Sequence, residues 1–148
     1  MKKIALLLLI SLVVLSSADL YEDLEKKVDK YNENVGKVPV IFKKIFANQR
    51  VNAYISMNDG SELIIGVVID NNMRITEFTK GGIKNPTLIV RTDEKTVNDI
   101  MNSDSPGKDA VKALEDGRIK IEAVGFVNKI KFAFVKFSIK LLKLFGKL

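Results

Sequence analysis

The pattern of apolar residues in segment 51–78 constrains the fold more than any other feature of the sequence. Segment 51–57 alternates apolar with polar or aromatic residues, which is typical of a half-buried strand. The turn sequence NDG at 58–60 then predicts a hairpin. Segment 62–70, ELIIGVVID, is apolar on both faces, as a covered strand is. A turn at 70–72 leads into MRITEF at 73–78. The sequence therefore predicts three antiparallel strands in succession.

Helical periodicity flanks this meander on both sides. An amphipathic helix is predicted over 19–34, followed by Gly36 as a stop, and a second helix is predicted over 39–47. After the meander, the pattern predicts a strand, two helices and a last strand, at 87–92, 93–101, 106–116 and 118–125. The fold class that follows is α+β: a five-stranded mixed, mostly antiparallel sheet with helices covering one face.

The N-terminus is typical of a secretory signal. Lys2 and Lys3 precede an apolar run at 4–15, and the small residues Ser-Ser-Ala follow it. The run is shorter than the ~20 residues that cross a bilayer as a helix. We therefore expect a signal peptide at 1–18 and an exported protein, either secreted or tethered to the cytoplasmic membrane. An uncleaved anchor and a buried core helix are the alternatives.

The composition argues against catalysis. The chain has no His and no Cys, so it lacks the usual nucleophile–base pairs and zinc ligands. Its adjacent carboxylates lie at predicted helix ends, where Asp93 and Glu94 complement the helix dipole and Glu115 and Asp116 are expected to be solvated. We therefore expect a protein that is not an enzyme, with no catalytic residue, no metal and no cofactor.

Two segments in the second half resemble the sterol carrier protein 2 (SCP2-like) lipid-transfer family. They are NPTLIVRTDEKTVNDIM at 85–101 and SPGKDAVKALEDGRIKIEAVG at 105–125, and the resemblance covers roughly 51–145. It implies an apolar cavity between sheet and helices, a lipid ligand such as a fatty acyl or isoprenoid chain, and no required catalysis. The chain departs from the family at 102–105, NSDS, where members often carry Ser-Gly-Lys. The N-terminal helical extension at 19–48 is an addition to the family domain.

The C-terminal segment 126–148 is predicted to be a basic amphipathic helix completing a single domain over 19–148. Residues 19–122 carry 16 basic and 18 acidic side chains, whereas 123–148 carry six lysines and no acid. Five of the lysines fall in an arc of about 60° on a helical wheel. These predicted membrane-surface residues are Lys129, Lys136, Lys140, Lys143 and Lys147. Nucleic-acid binding is not expected, because the tail phenylalanines lie away from the lysines.

The apolar part of this tail is wider than one packed face requires. The resemblance places the last helix beside the cavity, so we predict that the pocket and its lid include Phe132, Val135, Ile139, Leu142, Phe134 and Phe137. A bilayer, a partner protein or the N-terminal helix would cover the second apolar face equally well.

The function expected from the sequence is non-catalytic binding or transfer of a lipid or other apolar small molecule. The protein would act at or near a membrane surface, with an anionic bilayer as a candidate partner. The alternative is a structural or protein-interaction domain of the same fold, whose cavity is filled by its own side chains.

Overall fold

The computed structural model describes residues 16–125 and Lys129. Within these residues the helices are α1 (Ser16–Glu33), α2 (Val40–Phe46), α3 (Glu94–Met101) and α4 (Pro106–Glu115), and a 3-10 turn lies at Val35–Lys37. The strands are β1 (Arg50–Ser56), β2 (Glu62–Ile69), β3 (Ile75–Lys80), β4 (Leu88–Asp93) and β5 (Lys120–Ala123).

The five strands form one sheet in the order β3-β2-β1-β4-β5. Strands β1 and β4 pair in parallel, and every other neighbouring pair is antiparallel. The predicted meander is therefore β1-β2-β3, and the mixed, mostly antiparallel sheet is confirmed.

All four helices pack on one face of this sheet, which confirms the second half of the predicted fold class. Two groups of buried side chains connect helices to strands. The first comprises Leu20, Ile55, Met57, Leu63 and Ile65. The second comprises Ile41, Ile45, Val51, Leu88 and Ala123. Helices α3 and α4 contribute half-buried side chains to these groups. The alternation predicted for β1 thus has its physical origin in this helix-covered face.

The parallel pairing of β1 with β4 requires a crossover, which the connection 81–87 provides on the opposite face of the sheet. The connection passes over β2 at Gly66, where a Cβ atom would lie 2.5 Å from the Ile83 Cγ2 atom. It then passes over β1, where the Asn52 amide accepts from the Ile83 N–H at 2.8 Å and donates to the Ile83 carbonyl at 3.1 Å. Asn52 is buried because the crossover covers it.

Several element boundaries differ from the predictions by one to three residues; β5, for example, covers Lys120–Ala123 within the predicted 118–125. Helix α1 already includes residues 16–18, N-terminal to the predicted start at Asp19. Strand β3 begins at Ile75 and not at Met73, because Met73 adopts a left-handed φ of 68° within the turn. Asp93, which the sequence places at the start of a helix, caps α3, since its carboxylate accepts from the Thr96 N–H at 2.8 Å.

Candidate functional site

An apolar cavity of about 520 Å³ lies between α1, α2, α4 and the turn that joins β2 to β3. Its lining comes from five places in the sequence: the end of α1, the 3-10 turn, α2, the β2–β3 turn region and the first turn of α4. The lining includes Tyr31, Lys37, Pro39, Phe42, Phe46 and Ala110.

Hydrogen bonds tie one wall of the cavity together. The Tyr31 hydroxyl donates to the Met73 carbonyl at 2.8 Å. The adjacent Asn32 amide accepts from the Ile75 N–H at 2.8 Å and donates to the Ile75 carbonyl at 2.9 Å, so it continues the ladder at the start of β3. The carboxylate of Asp70 closes the β2–β3 turn by accepting from backbone N–H groups. The end of α1 is therefore held against this turn.

The opposite wall depends on a close contact between α2 and α4. A Cβ atom at Gly107 would lie 3.1 Å from the Pro39 Cγ atom, so glycine lets the first turn of α4 approach the start of α2. Phe42 and Phe46, whose ring centroids are 6.0 Å apart, then present their rings to the cavity on successive turns of α2. Ala110 lines the cavity from α4 with a small side chain.

The polar groups at the lining are few and lie along one edge. Tyr31, Asn34 and Lys37 follow one another at a spacing of three along the end of α1 and the 3-10 turn. The Tyr31 hydroxyl is engaged with Met73, and the Asn34 amide donates to the Lys30 carbonyl at 2.7 Å. Lys37 is exposed. The rest of the lining is apolar, apart from backbone groups.

Burial raises the pKa of the Tyr31 phenol above its ordinary value of 10.0, and the negative charge of Asp70 raises that pKa further. Both causes favour the neutral phenol, which is the form that donates to Met73. At neutral pH, therefore, Tyr31 presents an uncharged and hydrogen-bonded side chain to the cavity.

Replacing Tyr31 with Phe is expected to lower the free energy of unfolding by about 1 kcal/mol at neutral pH, the usual net value of one hydrogen bond. Because the folded-state pKa is raised, the wild-type chain also loses stability as the pH rises from about 10 through that pKa. The Tyr31→Phe variant lacks this part of the alkaline loss. Urea unfolding of both proteins across the alkaline range measures the difference, and equal losses would refute the assignment.

The described residues offer little reactive chemistry. Across 16–125 and Lys129 no group of three or more Asp or Glu side chains could hold a metal ion. In the same part of the chain, no helix is both long enough and apolar enough to cross a bilayer. None of the described residues that line the cavity carries a carboxylate. The arrangement can enclose an apolar molecule, and it presents no acid–base pair to such a molecule.

The sequence-predicted pocket residues Phe132, Val135, Ile139, Leu142, Phe134 and Phe137 lie outside the described residues. So do the predicted membrane-surface residues Lys136, Lys140, Lys143 and Lys147. Lys129 is the one predicted site residue that the structure describes. It is exposed and helical, and its N–H donates to the Gly125 carbonyl at 2.9 Å.

Sequence reasoning did not predict the cavity walls described above. A signal is nevertheless present in the sequence, because Tyr31 belongs to an apolar stripe of spacing three to four in 19–34, and Phe42 and Phe46 recur at the spacing of one helix turn in 39–47. That pattern fixes which sides of α1 and α2 are covered but not that a space remains between them. Nothing in the sequence pattern singles out Asn34 or Lys37.

Comparison with known proteins gives matches at the level of structure alone. No protein-family profile matches the chain, and no curated protein matches it. Solved structures that do match include the sterol carrier protein domain 2 of Helicoverpa armigera, at 18% identity and a TM-score of 0.44, covering 81% of this chain and 84% of that one. A crystal structure of sterol carrier protein 2 matches at 8% identity and a TM-score of 0.45, covering 74% and 86%.

A double mutant of the sec-alkyl sulfatase PisA1 also matches, at 17% identity and a TM-score of 0.38. The match covers 59% of this chain but only 12% of the sulfatase, so this chain corresponds to a small part of that protein. Several of the matching structures are sterol carrier protein 2 domains, the family that the sequence also resembles.

Proposed function

We propose that this protein binds a lipid or another apolar small molecule in the cavity between α1, α2 and α4, without catalysis. The observation that carries the proposal is the apolar lining of a cavity of about 520 Å³. This volume falls within the ~300–1,000 Å³ of typical small-molecule pockets, which are mostly apolar and hold a few placed polar groups. An acyl or isoprenoid chain has the matching chemistry.

The hydrogen bonds that the polar lining groups already make also support an apolar ligand. The phenol of Tyr31 already donates to Met73, and the amide of Asn34 already donates to Lys30. An apolar chain that displaces water from the cavity would therefore leave those two donors paired, and burying an unpaired donor would cost about 1–3 kcal/mol. The resemblance of segments 85–101 and 105–125 to SCP2-like domains implies the same class of ligand.

The membrane-facing part of the function is proposed from the sequence of the tail. The apolar residues of 126–148 would form a lid on the ligand, and its lysine arc would face an anionic leaflet, where each lysine contributes about 1 kcal/mol. The signal-like N-terminus supports export, so that the protein would act outside the cytoplasmic membrane, secreted or tethered to it.

The binding proposal is tested with cis-parinaric acid, a fatty acid that fluoresces when it enters an apolar site. The full chain is expected to give a saturable rise in fluorescence with one site per chain, and unlabelled oleate is expected to reverse it. A folded protein that gives no rise would contradict the proposal. It would favour the alternative, in which the fold is a closed shell that interacts with protein partners.

The lid is tested by replacing Ile139 and Leu142 together with Asp. Because charged groups would then lie against the ligand, the affinity for cis-parinaric acid is expected to fall at least about tenfold, or 1.4 kcal/mol, with the circular dichroism spectrum unchanged. Lys140→Asp with Lys143→Asp is the matched control on the lysine arc, and its affinity is expected to stay at the wild-type value. Unfolding of the Ile139 and Leu142 variant alone would show that this face is core, and would remove the lid proposal.

A further inference from the structure

Helix α2 has two covered sides and one side that faces solvent. Ile41 and Ile45 are each only 3% exposed and pack in the core with β1 and β4. Phe42 and Phe46 line the cavity. At about 100° per residue, these two pairs occupy adjacent sectors of the helix. The remaining sector of α2 faces solvent.

That third sector combines one apolar side chain with two cations. Val40 is 64% exposed and is the one large hydrophobic side chain so exposed in the described part of the chain. On the helical wheel it lies between Lys43, which is half-buried, and Lys44, which is exposed. Lys43 lies on the side toward the cavity phenylalanines. An exposed apolar side chain flanked by lysines is a combination that also occurs on helices that lie in a membrane interface.

The charge of this region differs from that of its neighbours. Segment 34–50 contains Lys37, Lys43, Lys44 and Arg50 and no acidic residue. Helix α1, which precedes it, contains six acidic and three basic residues. Lys37 adds a third exposed or half-exposed ammonium group at the edge of the cavity. Within residues 16–125 the recorded ion pairs are Lys95–Asp99 and Arg118–Asp116, so none involves these three lysines.

We propose that Val40, Lys43 and Lys44, together with Lys37, form a docking surface for an anionic bilayer. The lysine stems would reach along the apolar boundary and place their ammonium groups among lipid phosphates and carboxylates, while Val40 enters the interface. The chemistry requires an anionic leaflet, because a zwitterionic leaflet has no net negative surface potential to attract three cations. This surface is separate from the tail lysines.

The position of this surface gives it a consequence for ligand entry. The same short helix presents Phe42 and Phe46 to the cavity and Val40 to the proposed bilayer. A bilayer in contact with α2 would therefore lie one helix diameter, about 10 Å, from the cavity, and Lys37 would lie at the shared edge. Docking of this kind would shorten the distance that a lipid ligand travels through water between the leaflet and the cavity. That consequence rests on the proposed ligand-binding function, whereas the docking itself does not.

Insertion of Val40 is tested with a tryptophan reporter, since the chain has no Trp of its own. The Val40→Trp variant is mixed with vesicles of phosphatidylcholine alone or of phosphatidylcholine with phosphatidylserine. We expect its emission to shift to shorter wavelength only with the anionic vesicles. Lys112→Trp, exposed on α4, is the matched control and is expected to show no shift. An unshifted Val40→Trp, or equal shifts in both variants, would overturn the proposal.

The charge requirement is tested with two matched double variants of the full chain. Lys43→Glu with Lys44→Glu is expected to lower the vesicle partition coefficient at least about tenfold, because each lysine near an anionic surface contributes about a fivefold factor. Lys112→Glu with Lys120→Glu changes the net charge by the same amount, at exposed positions elsewhere on the protein. This control is expected to change the vesicle partition coefficient less than about twofold. Equal losses in both would assign membrane binding to net charge or to the tail, and would overturn the proposal.

The docking proposal and the ligand-binding proposal can be contradicted independently of each other. The Lys43 and Lys44 variant keeps Phe42 and Phe46, so its affinity for cis-parinaric acid is expected to match that of the wild type even where vesicle binding is lost. Loss of parinaric acid binding in that variant, with the fold intact, would mean that the lysines act on the cavity and not on a bilayer. A wild-type chain that docks on vesicles but binds no parinaric acid would retain the docking surface and contradict the proposed function.

Discussion

Replacing Gly66 with Ala is expected to lower the free energy of unfolding by about 3 kcal/mol, a large loss for a single methyl group. The crossover 81–87 lies directly on β2 at this position. An added Cβ would meet the Ile83 Cγ2 atom at 2.5 Å, the Gly82 carbonyl carbon at 2.8 Å and the Ile83 backbone nitrogen at 2.8 Å. Because two of these three atoms belong to backbone, a side-chain rotation cannot relieve the overlap. Urea unfolding measures the loss.

Gly36→Ala is the matched control for this prediction. Nothing lies within 4 Å of a Cβ at Gly36, and no left-handed φ is found there, so that variant is expected to stay within about 0.5 kcal/mol of the wild type or to gain slightly. Adding Ile83→Ala to Gly66→Ala is expected to recover only part of the loss, since the backbone contacts remain. Equal stability of Gly66→Ala and Gly36→Ala would contradict the crossover.

Replacing Ala110 with Trp is expected to reduce the affinity for cis-parinaric acid at least about tenfold, or 1.4 kcal/mol. Ala110 lines the cavity together with Phe42 and Phe46, and it is half-buried, whereas Ala113, one turn further along the same helix, is fully buried. The indole would enter the space that the ligand occupies without entering the core. The measurement is a fluorescence titration of the variant and the wild type.

Lys112→Trp is the control for Ala110→Trp, because the same residue is then placed on the exposed side of α4. Its affinity is expected to equal that of the wild type. Circular dichroism and urea unfolding of both variants separate a blocked cavity from a damaged fold. Should Ala110→Trp fold normally and bind parinaric acid as tightly as the wild type, the ligand would occupy some other site.

Most of the fold could be predicted from the sequence because its signals are local. The alternation in β1, the NDG turn, the cap at Asp93 and the N-terminal proline of α4 each act within a few residues. The crossover could not be predicted in the same way. Gly66 and Asn52 are distant from Ile83 along the chain. The pairing of β1 with β4 brings the crossover over both residues, so Gly66 must be small and Asn52 must be polar.

The candidate site could be predicted only in part for a related reason. Apolar periodicity identifies the covered side of a helix, and it did so for Tyr31, Phe42 and Phe46. Whether the covered sides meet or leave a space depends on distances between elements, such as the contact of Pro39 with Gly107. The sequence therefore directed the pocket prediction to the more conspicuous tail, whose apolar residues lie outside the described part of the chain.

Mass spectrometry of the lipid that the protein extracts from vesicles determines whether the cavity carries an apolar ligand. The full chain is incubated with vesicles of total lipid, repurified, extracted with solvent and analysed for lipid per chain. We expect about one lipid per chain for the wild type and for Lys112→Trp, and much less for Ala110→Trp. Folded wild-type protein that carries no lipid, or an Ala110→Trp variant that carries as much as the wild type, would contradict it.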